Sequence, residues 1–155
     1  VTENTQLEVG VAAFPEVHPE SPNMEHDSKV LALKKSAGAS FAVTQLFFSV
    51  EAYTDLVASA SAAGADLPIV PGVMPISNAK QVVRMAELSG AAIPPQLLAK
   101  FDAAADDAEA RRIGMEFSIQ LATELISAGA PGIHVFTLNH HAAAIELARG
   151  AGLCR

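Results

Sequence analysis

The chain has one cysteine, Cys154, and no tryptophan among its 155 residues. A lone thiol closes no internal disulfide and builds neither a cysteine zinc cluster nor a CxxC redox pair; this usage suits a reducing, cytoplasmic compartment. Positive charge is also scarce: ten Lys and Arg stand against seventeen Asp and Glu, for a net charge of −7. Binding to a phosphate backbone or an anionic lipid surface calls for a basic face, so neither nucleic acid nor membrane is an expected partner. Apolar runs such as Phe41 to Val50 break well before the roughly 20 residues of a membrane-spanning helix. No GxGxxG, Walker loop or GxSxG elbow occurs, which weighs against nucleotide-fingerprint, phosphoryl-transfer and serine-hydrolase chemistry. Five histidines are present, but without an HExxH helix or a Cys/His cluster no metal ligands are assigned. The opening Val1-Thr-Glu-Asn-Thr-Gln-Leu7 lacks an initiator Met and a basic or apolar leader, and reads as a cut chain.

Half of the residues are apolar and 17 % are charged, enough for one buried core over residues 1–155. Val9 to Phe14 is a short apolar run stopped by Pro15, hence a strand. A proline-rich loop follows, and Asp27 is a cap for a helix through Val30, Leu31, Leu33 and Lys34 to Gly38. Phe41 to Phe48 repeats the strand signal without polar alternation, as a parallel strand covered on both faces does. Ser49 opens a helix ended by Gly64. Leu67 to Pro75 is a third strand, with Ser77 or Asn78 capping a helix to Leu88. A helical insertion spans Leu97 to Phe101, and Asp106 to Ala128 forms a long amphipathic helix with Ile113, Phe117, Leu121 and Leu125 on one face. Gly132 to Leu138 is the fourth strand, and Asn139 caps a last helix to Gly150. Four such units predict an α/β fold with parallel (β/α) units, because parallel neighbours require a crossover. A complete four-stranded open sheet and half of a (β/α)8 TIM barrel both fit this length.

In either architecture, ligands gather at the C-terminal ends of the strands. The polar residues there are Glu16, His18 and Glu20 after strand one, Gln45 in strand two, Asn78 and Gln81 after strand three, and Asn139, His140 and His141 after strand four. An amide inside an apolar strand finds a partner or costs about 1 to 3 kcal/mol, so Gln45 either faces a polar cavity or ligand, or is a satisfied interior glutamine. His18 sits on a stiff loop that could fix an imidazole against a ligand, although an exposed loop histidine reads the same way. His140 and His141 diverge by roughly 100° on a helix, so a single contact is expected rather than joint ligation. Asp106, Asp107 and Glu109 suit the positive end of a helix dipole and read as structural.

Four blocks in order, Phe14-Pro-Glu-Val-His-Pro-Glu20, Thr44-Gln-Leu-Phe-Phe48, Pro68-Ile-Val-Pro-Gly-Val-Met-Pro75 with Ser77-Asn78, and His134-Val-Phe-Thr-Leu-Asn139, resemble the methylenetetrahydrofolate reductase family. The resemblance runs from about Val9 to Leu153 and corresponds to the second half of that family's flavin-binding (β/α)8 TIM barrel. It implies reduction of methylenetetrahydrofolate to methyltetrahydrofolate in one-carbon and methionine metabolism, with hydride passing from NAD(P)H through bound FAD. By the same resemblance Ala12, Phe14, His18, Ser21, Asp27 and Lys34 contact FAD, and Gln45, Gln81 and His140 contact the folate. Charge agrees, since a lysine and a helix terminus suit a pyrophosphate and an aspartate suits ribose hydroxyls.

This sequence departs from the family pattern at several positions. Phe14 stands for a tyrosine, Val30 and Leu33 for polar or basic groups, Met85 for an aromatic residue, and His140 for an arginine. Direct transfer from nicotinamide to folate is the flavin-free variant these changes leave open. The family's proton-donating glutamate corresponds to the missing N-terminal half of the barrel, so no catalytic residue is assigned here. The resemblance also leaves a non-catalytic reading, a half-barrel folate- or flavin-binding module or partner subunit. A half-barrel alone exposes two edge strands and favours pairing, including with a second copy.

Overall fold

The computed structural model of the chain describes residues 7–154. The reading of the first residues as a cut end falls, up to Gln6, outside them. The elements run β1 (Gly10–Ala13), α1 (Met24–Ser36), β2 (Phe41–Thr44), α2 (Val50–Ala62), β3 (Ile69–Val70), β4 (Gly72–Val73), α3 (Ala79–Ser89), α4 (Pro95–Asp102), α5 (Asp107–Ser127), β5 (His134–Val135) and α6 (His141–Gly150). All strand pairs are parallel, as the strand and helix alternation requires. β1 pairs with β2 from Gly10↔Phe41 to Ala13↔Thr44, β2 with β3 at Ala42↔Ile69, and β4 with β5 at Gly72↔His134.

The third strand is broken at Pro71, which has no N–H to give to a ladder. The break passes the pairing from one neighbour to the other. Before it β3 pairs with β2; after it Gly72 N–H donates to Thr44 Oγ1 at 2.8 Å while Pro71 O accepts His134 N–H at 2.9 Å. Strands therefore follow one another in space in chain order. The helices follow the same order in one layer: α1 packs on α2, α2 on α5 and α5 on α6. Under that layer Ala13, Leu31, Ala42, Tyr53, Leu56, Ile69, Val73, Leu125 and Leu147 form the main core. A second core of Leu46, Phe48, Met74, Ile76, Val82, Leu97 and Phe101 seats α3 and α4 on the ends of β2 and β4. The other sheet face is uncovered: Gly10, Ala12 and His134 are exposed, and Phe41, Val43, Val70 and Phe136 are only half-buried.

Several boundaries differ from the sequence expectation. α1 is capped by Asn23, whose side chain accepts His26 N–H, and not by Asp27, which lies a turn inside the helix. β2 stops at Thr44, so Gln45 stands just past the strand, although its N–H still donates to Ala13 O at 2.8 Å. β5 is two residues long. Asn139 does not cap α6: its φ of 66° is left-handed, whereas a capping residue is extended, and His140 takes the position without a side-chain bond. Ser49, Asn78 and Asp106 do cap α2, α3 and α5.

Candidate functional site

Parallel strands place all their C-terminal ends together, so the loops after β1, β2, β4 and β5 meet at one end of the sheet. Ala12, Phe14, His18, Ser21, Asp27 and Lys34, the six residues expected to contact the flavin, line one cavity of about 220 Å³ there, floored by Val30, Leu31 and Leu56. Asp27 organises its rim. One carboxylate oxygen accepts His18 N–H at 2.8 Å and the other accepts the Ser21 hydroxyl, which ties the loop to the first turns of α1. The His18 ring stands edge-on to Phe14 at 4.5 Å, and its Nδ1 accepts Glu20 N–H at 3.1 Å, leaving Nε2 as the ring's donor.

Lys34 donates to Ala12 O at 2.9 Å. The Val9 and Ala13 carbonyls accept Ser40 N–H and Gln45 N–H, which flank β2; alternation in a parallel ladder turns the Ala12 carbonyl to the opposite edge, where the ammonium covers it. An ammonium has three donors, so two remain for a ligand. The cavity is smaller than the about 300–1,000 Å³ of a site for a whole drug-sized ligand. Its donors, Lys34 and His18, suit an anionic or hydroxylated portion of a dinucleotide. The carboxylate of Asp27 already serves the loop, so its fit to a ribose is the weaker part. Glu16, another polar residue of this loop, accepts Ala92 N–H at 2.9 Å and ties the loop to the α3–α4 connection.

On the uncovered sheet face a second cavity of about 350 Å³ shares Ala12 and Phe14 with the first and adds Val43, Gln45 and Phe136. Its lining draws on β1, on the end of β2 and on the residue after β5. Gln45 is half-buried, and its Oε1 accepts Leu46 N–H at 3.2 Å. A third cavity, of about 430 Å³, brings Gln81 and His140 together with Ser77, Thr137, Asn139, His141 and Arg111. Gln81 Oε1 accepts both the N–H and the hydroxyl of Ser77 at 2.7 Å, so its amide is held in place. His140 and His141 are exposed. Arg111 was not singled out from the sequence, because in an isolated helix it reads as one more solvated charge. Its cavity position could have been suspected only by noting that α5 starts at the same end as the strand termini. Among the described residues no three His, Cys, Asp or Glu side chains converge as metal ligands, and no helix is long and apolar enough to cross a membrane.

The sequence pattern of methylenetetrahydrofolate reductase matches residues 2–152. The chain belongs to the methylenetetrahydrofolate reductase family. It is 38 % identical over 138 residues to 5,10-methylenetetrahydrofolate reductase of Escherichia coli, covering 88 % of this chain and 47 % of that protein. It is 35 % identical over 147 residues to a probable methylenetetrahydrofolate reductase (NADPH) of Caenorhabditis elegans, covering 94 % of this chain and 22 % of that protein. Thus the chain spans about half the length of the bacterial family member and less of the nematode one. A solved structure of an uncharacterized protein from Clostridium thermocellum, described as binding two copies of 5-methyl-5,6,7,8-tetrahydrofolic acid, has the same fold. Its TM-score is 0.68 at 18 % identity, over 96 % of this chain and 55 % of that one.

Proposed function

We propose that this chain supplies the second half of a flavin-binding (β/α)8 barrel that reduces methylenetetrahydrofolate to methyltetrahydrofolate with NAD(P)H. The observation that carries this reading is convergence. Six residues from β1, its loop and α1 line one cavity, that cavity adjoins the one holding Gln45, and Gln81 and His140 line another at the same end of the sheet. In this reading Lys34 and His18 hold the anionic part of FAD, Asp27 fixes the loop that presents His18, and Gln45 and Gln81 orient the folate. When bound, the flavin supplies hydride transfer between nicotinamide and folate; these residues bind and orient. In this reading the bare sheet face and the outer edges of β1 and β5 are where the first half of the barrel closes the cylinder. A reducing cytoplasm is the compartment that suits this chemistry and the single thiol.

The test is titration of the chain with FAD, read by quenching of flavin fluorescence. Saturable quenching weakened about tenfold or more by His18→Ala supports the reading, and its absence contradicts the flavin part of it. A second reading is favoured by one observation. Asp27 and Lys34 both have intramolecular partners, and Val30 lines the same cavity where the family often has a polar group. That is the flavin-free variant or folate-binding module, in line with the folate bound on the same fold in the Clostridium thermocellum protein. It predicts tight folate binding with no flavin response.

A further inference from the structure

We propose that Arg111 binds a carboxylate on the glutamyl tail of the folate in the cavity between α3, α5 and the start of α6. The proposal rests on the folate reading above and assigns to α5 a role in tail recognition. Acidic residues outnumber basic ones in this chain by seventeen to ten, yet the lining of this cavity contains Arg111, His140 and His141 and no Asp or Glu. Arg84 and Arg112 pair with glutamates three or four residues away on their own helices. Arg111 instead reaches from α5 to Glu146 on α6, at 2.5 Å.

That contact uses one of the guanidinium's five donors, which leaves its other edge for a second carboxylate in the two-bond geometry that guanidinium favours. Gln81, held by Ser77, lines the same cavity, so a folate oriented by Gln81 would extend its tail toward Arg111. His140, where the family has arginine, offers a shorter side chain with a weaker grip on a carboxylate. The chain thus keeps a permanent cation in the cavity, carried by a different helix.

The experiment is calorimetric titration of the chain, as wild type, Arg111→Gln and Glu146→Gln, with 5-methyltetrahydrofolate and with 6-methyltetrahydropterin, which lacks the tail. Arg111→Gln is expected to weaken 5-methyltetrahydrofolate binding about tenfold and leave the pterin unchanged. Glu146→Gln removes the competing carboxylate and is expected to tighten the tailed ligand a few-fold, again without effect on the pterin. Equal loss for both ligands, or the same weakening from both variants, would mean that the ion pair is structural and would overturn the proposal. So would tailed-ligand binding indifferent to Arg111. If wild type binds neither ligand, the folate reading itself fails and this assignment falls with it.

Discussion

Asp27 and Lys34 illustrate how a charged residue in a binding cavity can also hold the cavity together. Asp27 accepts from both ends of a short loop segment, His18 N–H and the Ser21 hydroxyl. Removing the acceptor leaves a backbone N–H without its partner, so Asp27→Ala is expected to lower stability by about 1–3 kcal/mol in urea denaturation and to weaken flavin binding as well. His18→Ala separates the two effects: it removes an edge-on ring contact worth about 0.5–1.5 kcal/mol and should chiefly affect binding. A flavin titration and a denaturation curve on each variant check both statements. The sequence supported Asp27 as a helix cap because aspartate before an apolar period is a common start signal. It could not show that Asn23, four residues earlier, takes that position. Likewise Lys34 meets a carbonyl 22 residues away, a contact that no local pattern encodes.

At the scale of elements, α5 is fixed to the strand ends by close packing and by a hydroxyl. A Cβ built on Gly114 would lie 2.5 Å from Ile76 O, and Ser118 Oγ accepts Ile76 N–H at 3.1 Å and lies 3.0 Å from Met74 O. Gly114→Ala therefore pushes α5 off the backbone beside the third cavity, with an expected loss of about 1–3 kcal/mol that a thermal melt would register. Tyr53 anchors α2 to the third strand by donating to Ile69 O at 3.0 Å. Burial pushes its phenol pKa up. The folded state thus holds the phenol proton more tightly than the unfolded state. This contribution is complete below the ordinary phenol pKa of about 10 and is lost as pH rises through the raised value. Tyr53 is the only tyrosine, and there is no tryptophan, so ultraviolet titration of the phenolate reads this residue alone. Tyr53→Phe should cost about 1 kcal/mol at neutral pH and flatten the alkaline fall in stability.

Helix positions were legible because Ser49 and Asn78, the acidic start of α5 at Asp106 and the apolar period of α5 are local signals. The ends of β2 and β5 were not, because a strand ends where its neighbour ends, and the neighbour is remote in sequence. Pro71 was visible as punctuation. Its consequence, a strand shared between two partners, depends on which strands flank it.

Across the described residues, one sheet face carries the layer of α1, α2, α5 and α6, and the other carries half-buried Phe41, Val43, Val70 and Phe136. If this face meets the first half of a barrel, or a second copy in its place, a charge at its centre should prevent association without unfolding the chain. Val43→Lys is expected to shift the protein to monomer in analytical ultracentrifugation while leaving its circular dichroism unchanged. An open sheet complete in itself would show no shift. Composition and period established parallel (β/α) units but could not choose between a sector of a cylinder and an open sheet, since both have the same local sequence. Chain-ordered strands under a single helix layer are long-range facts.

The most direct test of the central claim, that the strand ends form one cofactor and folate pocket, is a backbone amide NMR titration of the chain with FAD. Saturable shifts confined to the amides around His18, Ser21, Asp27 and Gln45, with Ser40, Leu67 and Ile133 at the opposite end unmoved, are the predicted result. Saturable shifts at that opposite end would contradict it, as would none at all.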